Sequence, residues 1–109
     1  MKLPVRLKKE KDFKLVFNKG TRLFSDSLTL LYYPSKEMKV GFVVSKKHGS
    51  SVKRNKIKRL LRESFRSFLP IKRQNFFFVL LPKTKDEYSV QNFSKDLGYI
   101  LKKGGFLDA

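Results

Sequence analysis

The stretch KRNKIKRLLRESFR, residues 53–66, decides how the rest of the chain must be arranged. Seven of its fourteen residues are Lys or Arg and one, Glu63, is acidic. Ile57, Leu60, Leu61 and Phe65 recur through it at helical spacing. Each helical residue turns the chain by roughly 100°. With Ile57 at zero, Leu60, Leu61, Ser64, Phe65 and Phe68 fall within about 80° of it on either side. Asn55, Lys58, Arg59, Arg62 and Arg66 occupy the opposite arc, from roughly 100° to 200°. Arg54, at roughly 60°, lies outside that arc but in the first turn, where a long side chain still reaches solvent. The spacing predicts a helix from about Val52 to about Leu69, capped by Ser50 or Ser51 and closed by Pro70. Its greasy side needs a sheet to lie on.

The charges on the other side need a different explanation. Like-charge pairs one turn apart, such as Lys58–Arg62 and Arg62–Arg66, each destabilise a free helix by a few tenths of a kcal/mol, roughly. A helix that only had to be soluble would alternate signs. Asn55 competes with the backbone inside a helix and makes more sense as a donor and acceptor for a ligand. Lys46, Lys47, Lys53, Lys72 and Arg73 extend the basic run in sequence, so residues 46–73 hold eleven of the chain's 26 basic residues.

Upstream, EKDFKLVFNKG (residues 10–20) reads as a short helix with Phe13, Val16 and Phe17 on one side and Gly20 at its end. LFSDSLTLLYYP reads as a strand in which Leu28, Leu30 and Tyr32 face one way and Thr29, Leu31 and Tyr33 the other. MKVGFVVSK reads as a second strand, joined to the first by the turn SKE and therefore expected to pair with it antiparallel. HGSS is a loop, with His48 a loop residue rather than a ligand. Downstream, NFFFVLLP is apolar on both faces and reads as an interior strand. It runs parallel to one of the others through the basic-helix crossover. DEYSVQNFSKDLGYILKKGG is a last helix, with Ser89 as cap, Phe93, Leu97, Ile100 and Leu101 as its stripe, and Lys102 and Lys103 in its last turn. The order is α-β-β-α-β-α, which makes a single-domain α+β sandwich over residues 1–109.

Composition agrees. The formal net charge is +17, a self-repulsion most easily offset by a polyanion, with nucleic acid ahead of an anionic membrane surface. There is no Cys, so no disulfide framework and no thiolate metal site. MKLPVRLKKE lacks the apolar core of a secretory signal, and no stretch approaches the ~20 apolar residues that span a bilayer. A reduced, cytoplasmic protein without membrane association is expected. The nine carboxylates are scattered and His48 is the one histidine, so no nucleophile–base pair or two-metal carboxylate cluster is apparent. No catalytic or metal-ligating residue is therefore assigned.

GFVVSKKHGSSVKRNKIKRLLRESFR, from Gly41 to Arg66, resembles the signature region of the bacterial ribonuclease P protein component. The family's strand ends in a Ser-Lys-Lys run, here Ser45, Lys46 and Lys47. Gly49 follows, and then the basic helix whose "RNR" triplet is here Arg54, Asn55 and Lys56. LKKEKDFKLVFNKGTR resembles the family's first helix. Lys56 departs from the pattern, which has Arg there; a point-charge phosphate contact survives the exchange and a bidentate fork does not.

The resemblance implies one mixed sheet with an unusual left-handed β-α-β crossover, against the usual right-handed preference. It implies a protein subunit that binds a catalytic RNA and precursor tRNA and assists removal of the 5′ leader. The RNA and its Mg²⁺ ions perform the hydrolysis, and no obligate protein partner is expected. Lys46, Lys47, Lys53, Arg54, Asn55, Lys56, Lys58, Arg59, Arg62 and Arg66 are then the RNA-binding residues. Phe13, Phe17, Thr29, Leu31 and Tyr33 line a cleft for the leader, where apolar platforms and cations suit a single strand. A basic ribosomal or RNA-chaperone protein is the alternative, and would need no such cleft. A DNA-binding protein lacks a visible dimer seam or helix-turn-helix pair. A membrane-surface helix would need the apolar side that the sheet takes.

Overall fold

The computed structural model describes residues 3–108. In chain order these form β1 (Val5–Arg6), α1 (Glu10–Lys19), β2 (Thr21–Phe24), β3 (Leu28–Pro34), β4 (Lys39–Phe42), a 3₁₀ turn (Lys46–His48), α2 (Ser51–Ser67), β5 (Phe76–Pro82) and α3 (Val90–Lys103). The strands make one mixed sheet in the order β1-β4-β5-β3-β2. β5 runs antiparallel to β3 and parallel to β4, so α2 is the crossover between two adjacent parallel strands.

Two expectations need correction. The SKE connection does not make a hairpin. β5 lies between β3 and β4, pairing Tyr33 with Phe77 on one side and Lys39 with Phe77 on the other. The reason is burial. FFFVLL is apolar on both faces, and the centre of a sheet covered on both sides is where such a strand loses most water; Phe78, Val79 and Leu80 are all fully buried. The expected first strand is also two strands. SDS turns the chain between β2 and β3, where Ser25 N donates to Leu28 O at 3.0 Å and Leu28 N donates to Ser25 Oγ at 3.2 Å. β1 is an addition at the other edge, parallel to β4.

The sheet is covered on both faces. α2 and α3 pack on one, burying Ile57, Leu61, Phe65, Phe93, Leu97 and Ile100 against Leu28, Leu30, Phe78 and Leu80. Phe106 joins them, with its ring 5.1 Å from that of Phe78 and edge-on to it. α1 covers the other face, where Val16 meets Leu31, Val79 and Leu7. Gly41 permits this approach, because a Cβ there would stand 2.7 Å from Cε1 of Phe13.

Candidate nucleic-acid interface

α2 begins where the sequence places it. Ser50 is the cap, its Oγ accepting from Lys53 N at 3.2 Å. Before it, Gly49 takes φ 116°, a backbone that L side chains rarely adopt. The loop residue His48 is buried. Its Nε2 is 3.0 Å from Pro82 O, and its Nδ1 is 3.2 Å from both Oγ and O of Ser45. A carbonyl can only accept, so the bond to Pro82 O is donated by Nε2–H. The basic turn and the start of α2 are thereby tied to the end of β5.

The inner side of α2 is held by Ile57, Leu61, Ser64 and Phe65, all buried. Ser64 carries no orphaned hydroxyl: its Oγ donates to Val90 O at 3.3 Å and accepts from Ser94 Oγ at 3.1 Å. The outer side presents Asn55, Lys56, Arg59, Arg62 and Arg66 to solvent, with Lys53 exposed in the first turn and Lys46 and Lys47 exposed in the turn before it. Lys58 is half-buried on the flank. Arg54 does not swing free into water as expected from the first turn; it is half-buried, and its Nε is shielded without a hydrogen-bond partner.

Among the described residues the ion pairs within 4.0 Å are Lys14–Glu10, Lys39–Glu37, Lys72–Asp108 and Lys85–Asp26. None uses a cation of α2 or of the turn before it. The fold therefore concentrates cations along α2, with Asp86 and Glu87 beside Lys53 and Lys56 but, among the described residues, no carboxylate in a 4.0 Å ion pair with any of them. Lys72 and Arg73 do not extend this patch. Lys72 pairs with Asp108, while Arg73 donates to Gly104 O at 2.6 Å and lies over the rings of Phe76 and Phe106.

On the opposite face, Phe13, Phe17 and Tyr33 are half-buried and gather in one apolar cluster under α1. Thr29 and Leu31 share their sheet face but do not open to solvent: Leu31 is 0% exposed and Thr29 8%. α1 closes over them, so they are support rather than lining. The accessible walls include three residues not anticipated, Val43, Phe77 and Leu81. The alternation Phe77, Val79, Leu81 was visible, but it gains meaning only once β5 sits beside β3, with Phe77 opposite Tyr33 and Leu81 opposite Thr29.

A groove of about 370 Å³ runs from Phe13 past Gly41 and Phe42 to Lys58. A second, of about 270 Å³, shares Arg6, Phe42 and Lys58 with it and reaches Arg62. The apolar cleft and the cationic helix are thus joined around one edge of the sheet. Among the described residues, no three His, Asp or Glu side chains converge in a group that could hold a metal ion. No helix among them is long and apolar enough to cross a membrane.

An α+β layer that clamps a cationic crossover helix, with an apolar cleft behind it, defines a small basic protein shaped for a polyanionic partner. A profile of the family described as "Ribonuclease P" matches residues 1–105. The ribonuclease P protein component of Streptococcus agalactiae is 36% identical over 110 residues, covering 98% of this chain and 100% of its own. That of Bacillus velezensis is 34% identical, covering 94% and 91%. Among solved structures, the RNase P protein from Thermotoga maritima superposes with a TM-score of 0.79 at 28% identity, over 90% of this chain and 96% of its own. The RNase P protein of Staphylococcus aureus shares the fold at a TM-score of 0.82 and 24% identity, over 97% and 100%. The chain belongs to the ribonuclease P protein family.

Proposed function

We propose that this chain is the protein subunit of a cytoplasmic ribonuclease P ribonucleoprotein, and that its two faces hold two RNAs. The cationic side of α2, with Lys46 and Lys47, binds the catalytic RNA. The cleft between α1 and the sheet receives the 5′ leader of precursor tRNA. Hydrolysis of the phosphodiester belongs to the RNA and its Mg²⁺ ions; the polypeptide binds, orients and shields the leader. Family membership supports the subunit role.

One observation carries the RNA-binding assignment: Lys56, Arg59, Arg62 and Arg66 are exposed around the outward side of α2 with no carboxylate within 4.0 Å among the described residues. Exposed cations that release counterions from phosphates supply salt-dependent affinity. Arg suits forked phosphate contacts and Lys acts as a point charge.

Reconstitution tests the reading. The polypeptide is added to a bacterial ribonuclease P RNA transcribed in vitro, at low Mg²⁺, with precursor tRNA as substrate. Cleavage at the mature 5′ end that depends on the polypeptide is the expected result. Tight RNA binding without stimulated cleavage would instead fit an RNA chaperone.

A further inference from the structure

The outward side of α3 carries a second cationic surface, with an aromatic ring at its centre. α3 turns Phe93, Leu97, Ile100 and Leu101 inward. At roughly 100° per residue, Asn92, Lys95, Lys102 and Lys103 lie within about 60° of Tyr99. All are exposed, and Tyr99 is 58% exposed. Lys103 Nζ is 5.8 Å from the centroid of the Tyr99 ring. Among the described residues, none of these three lysines has a carboxylate within 4.0 Å. Asp96, the acid of the same helix, is half-buried and accepts from Ser27 N at 3.0 Å.

α3 lies beside α2 on the same sheet face, joined to it through Ser64, Val90 and Ser94. The outward sides of the two helices therefore belong to one side of the molecule. We infer that RNA held by α2 continues over α3, where an unpaired base stacks on Tyr99 and the adjoining phosphates meet Lys95, Lys102 and Lys103. Phosphates alone would need only the lysines. An exposed ring among unpaired cations matches the pairing of platform and charge that single-stranded RNA uses. The inference rests on the reading of α2 as an RNA-binding helix.

The test uses the full chain and an in vitro transcript of a bacterial ribonuclease P RNA, with filter binding over a salt series. Tyr99→Ala should weaken binding by roughly 5- to 100-fold, and Tyr99→Phe should retain it. Lys95→Ala and Lys103→Ala should each lower the salt slope by about 0.7–0.9. Arg59→Ala is the control for α2. If it weakens binding while Tyr99→Ala does not, the α3 surface is refuted and α2 stands. If neither changes binding, both readings fall. Equal loss in Tyr99→Ala and Tyr99→Phe would overturn stacking. p-Benzoylphenylalanine in place of Tyr99, irradiated in the complex, gives a readout independent of affinity. A cross-link to the transcript supports the inference, and a cross-link to a second copy of the chain overturns it.

Discussion

The Nε2–H of His48 donates to the carbonyl of Pro82 at 3.0 Å, across 34 residues of chain. This bond fastens the turn that launches the basic helix to the strand at the centre of the sheet. Removing the ring leaves a small void and a carbonyl without its donor. His48→Ala should therefore destabilise the fold by about 1–3 kcal/mol, read as a lower urea midpoint at unchanged m-value. A stability equal to the parent chain would mean the imidazole is dispensable there.

Arg59 and Arg62 are exposed and touch no carboxylate among the described residues. Arg59→Ala and Arg62→Ala should leave stability within about 0.5 kcal/mol of the parent. Each should flatten the dependence of RNA affinity on salt by about 0.7–0.9 log unit per log unit of salt. A slope that does not move would show these side chains to be merely solvated.

Phe17 is a wall of the α1 cleft and contributes nothing to the charged side. Phe17→Ala should reduce affinity for leader-bearing precursor tRNA in the reconstituted complex by roughly 5- to 100-fold. Affinity for leaderless tRNA should hold. Equal loss for both substrates, in a variant with an intact circular dichroism spectrum, would remove the cleft from leader recognition.

Gly41 sits beneath Phe13, where an added Cβ would come within 2.7 Å of the ring. Gly41→Ala should displace Phe13 and cost about 1–3 kcal/mol. It should weaken leader binding while leaving the salt slope for the catalytic RNA unchanged. Parent-like leader affinity would show that Phe13 does not need this seat.

Local chemistry was legible in the sequence. The two-sidedness of residues 53–66, a serine cap at 50 or 51, the cap Ser89 and the apolar run of β5 all depend on near neighbours, and the structure carries them, with Ser50 as the first cap. Pairing across long separations was not legible. SKE reads as a hairpin turn because nothing nearby reveals that a strand some forty residues further on will come between β3 and β4. The cleft was half legible for the same reason. Periodicity puts Thr29, Leu31 and Tyr33 on one side of β3, yet only the placement of α1 decides that Leu31 is closed off and Tyr33 is not. The burial of His48 was not legible because its partner, Pro82, is distant in sequence.

The placement of β5 has a consequence for biosynthesis. Its residues leave the ribosome after every other strand, so β3 and β4 emerge with facing rows of backbone donors and acceptors and no central neighbour. Until Phe76–Pro82 arrives, the nascent chain is a split sheet whose halves are open to foreign strands, and the cationic crossover has no completed floor. The last third of translation is what closes the molecule.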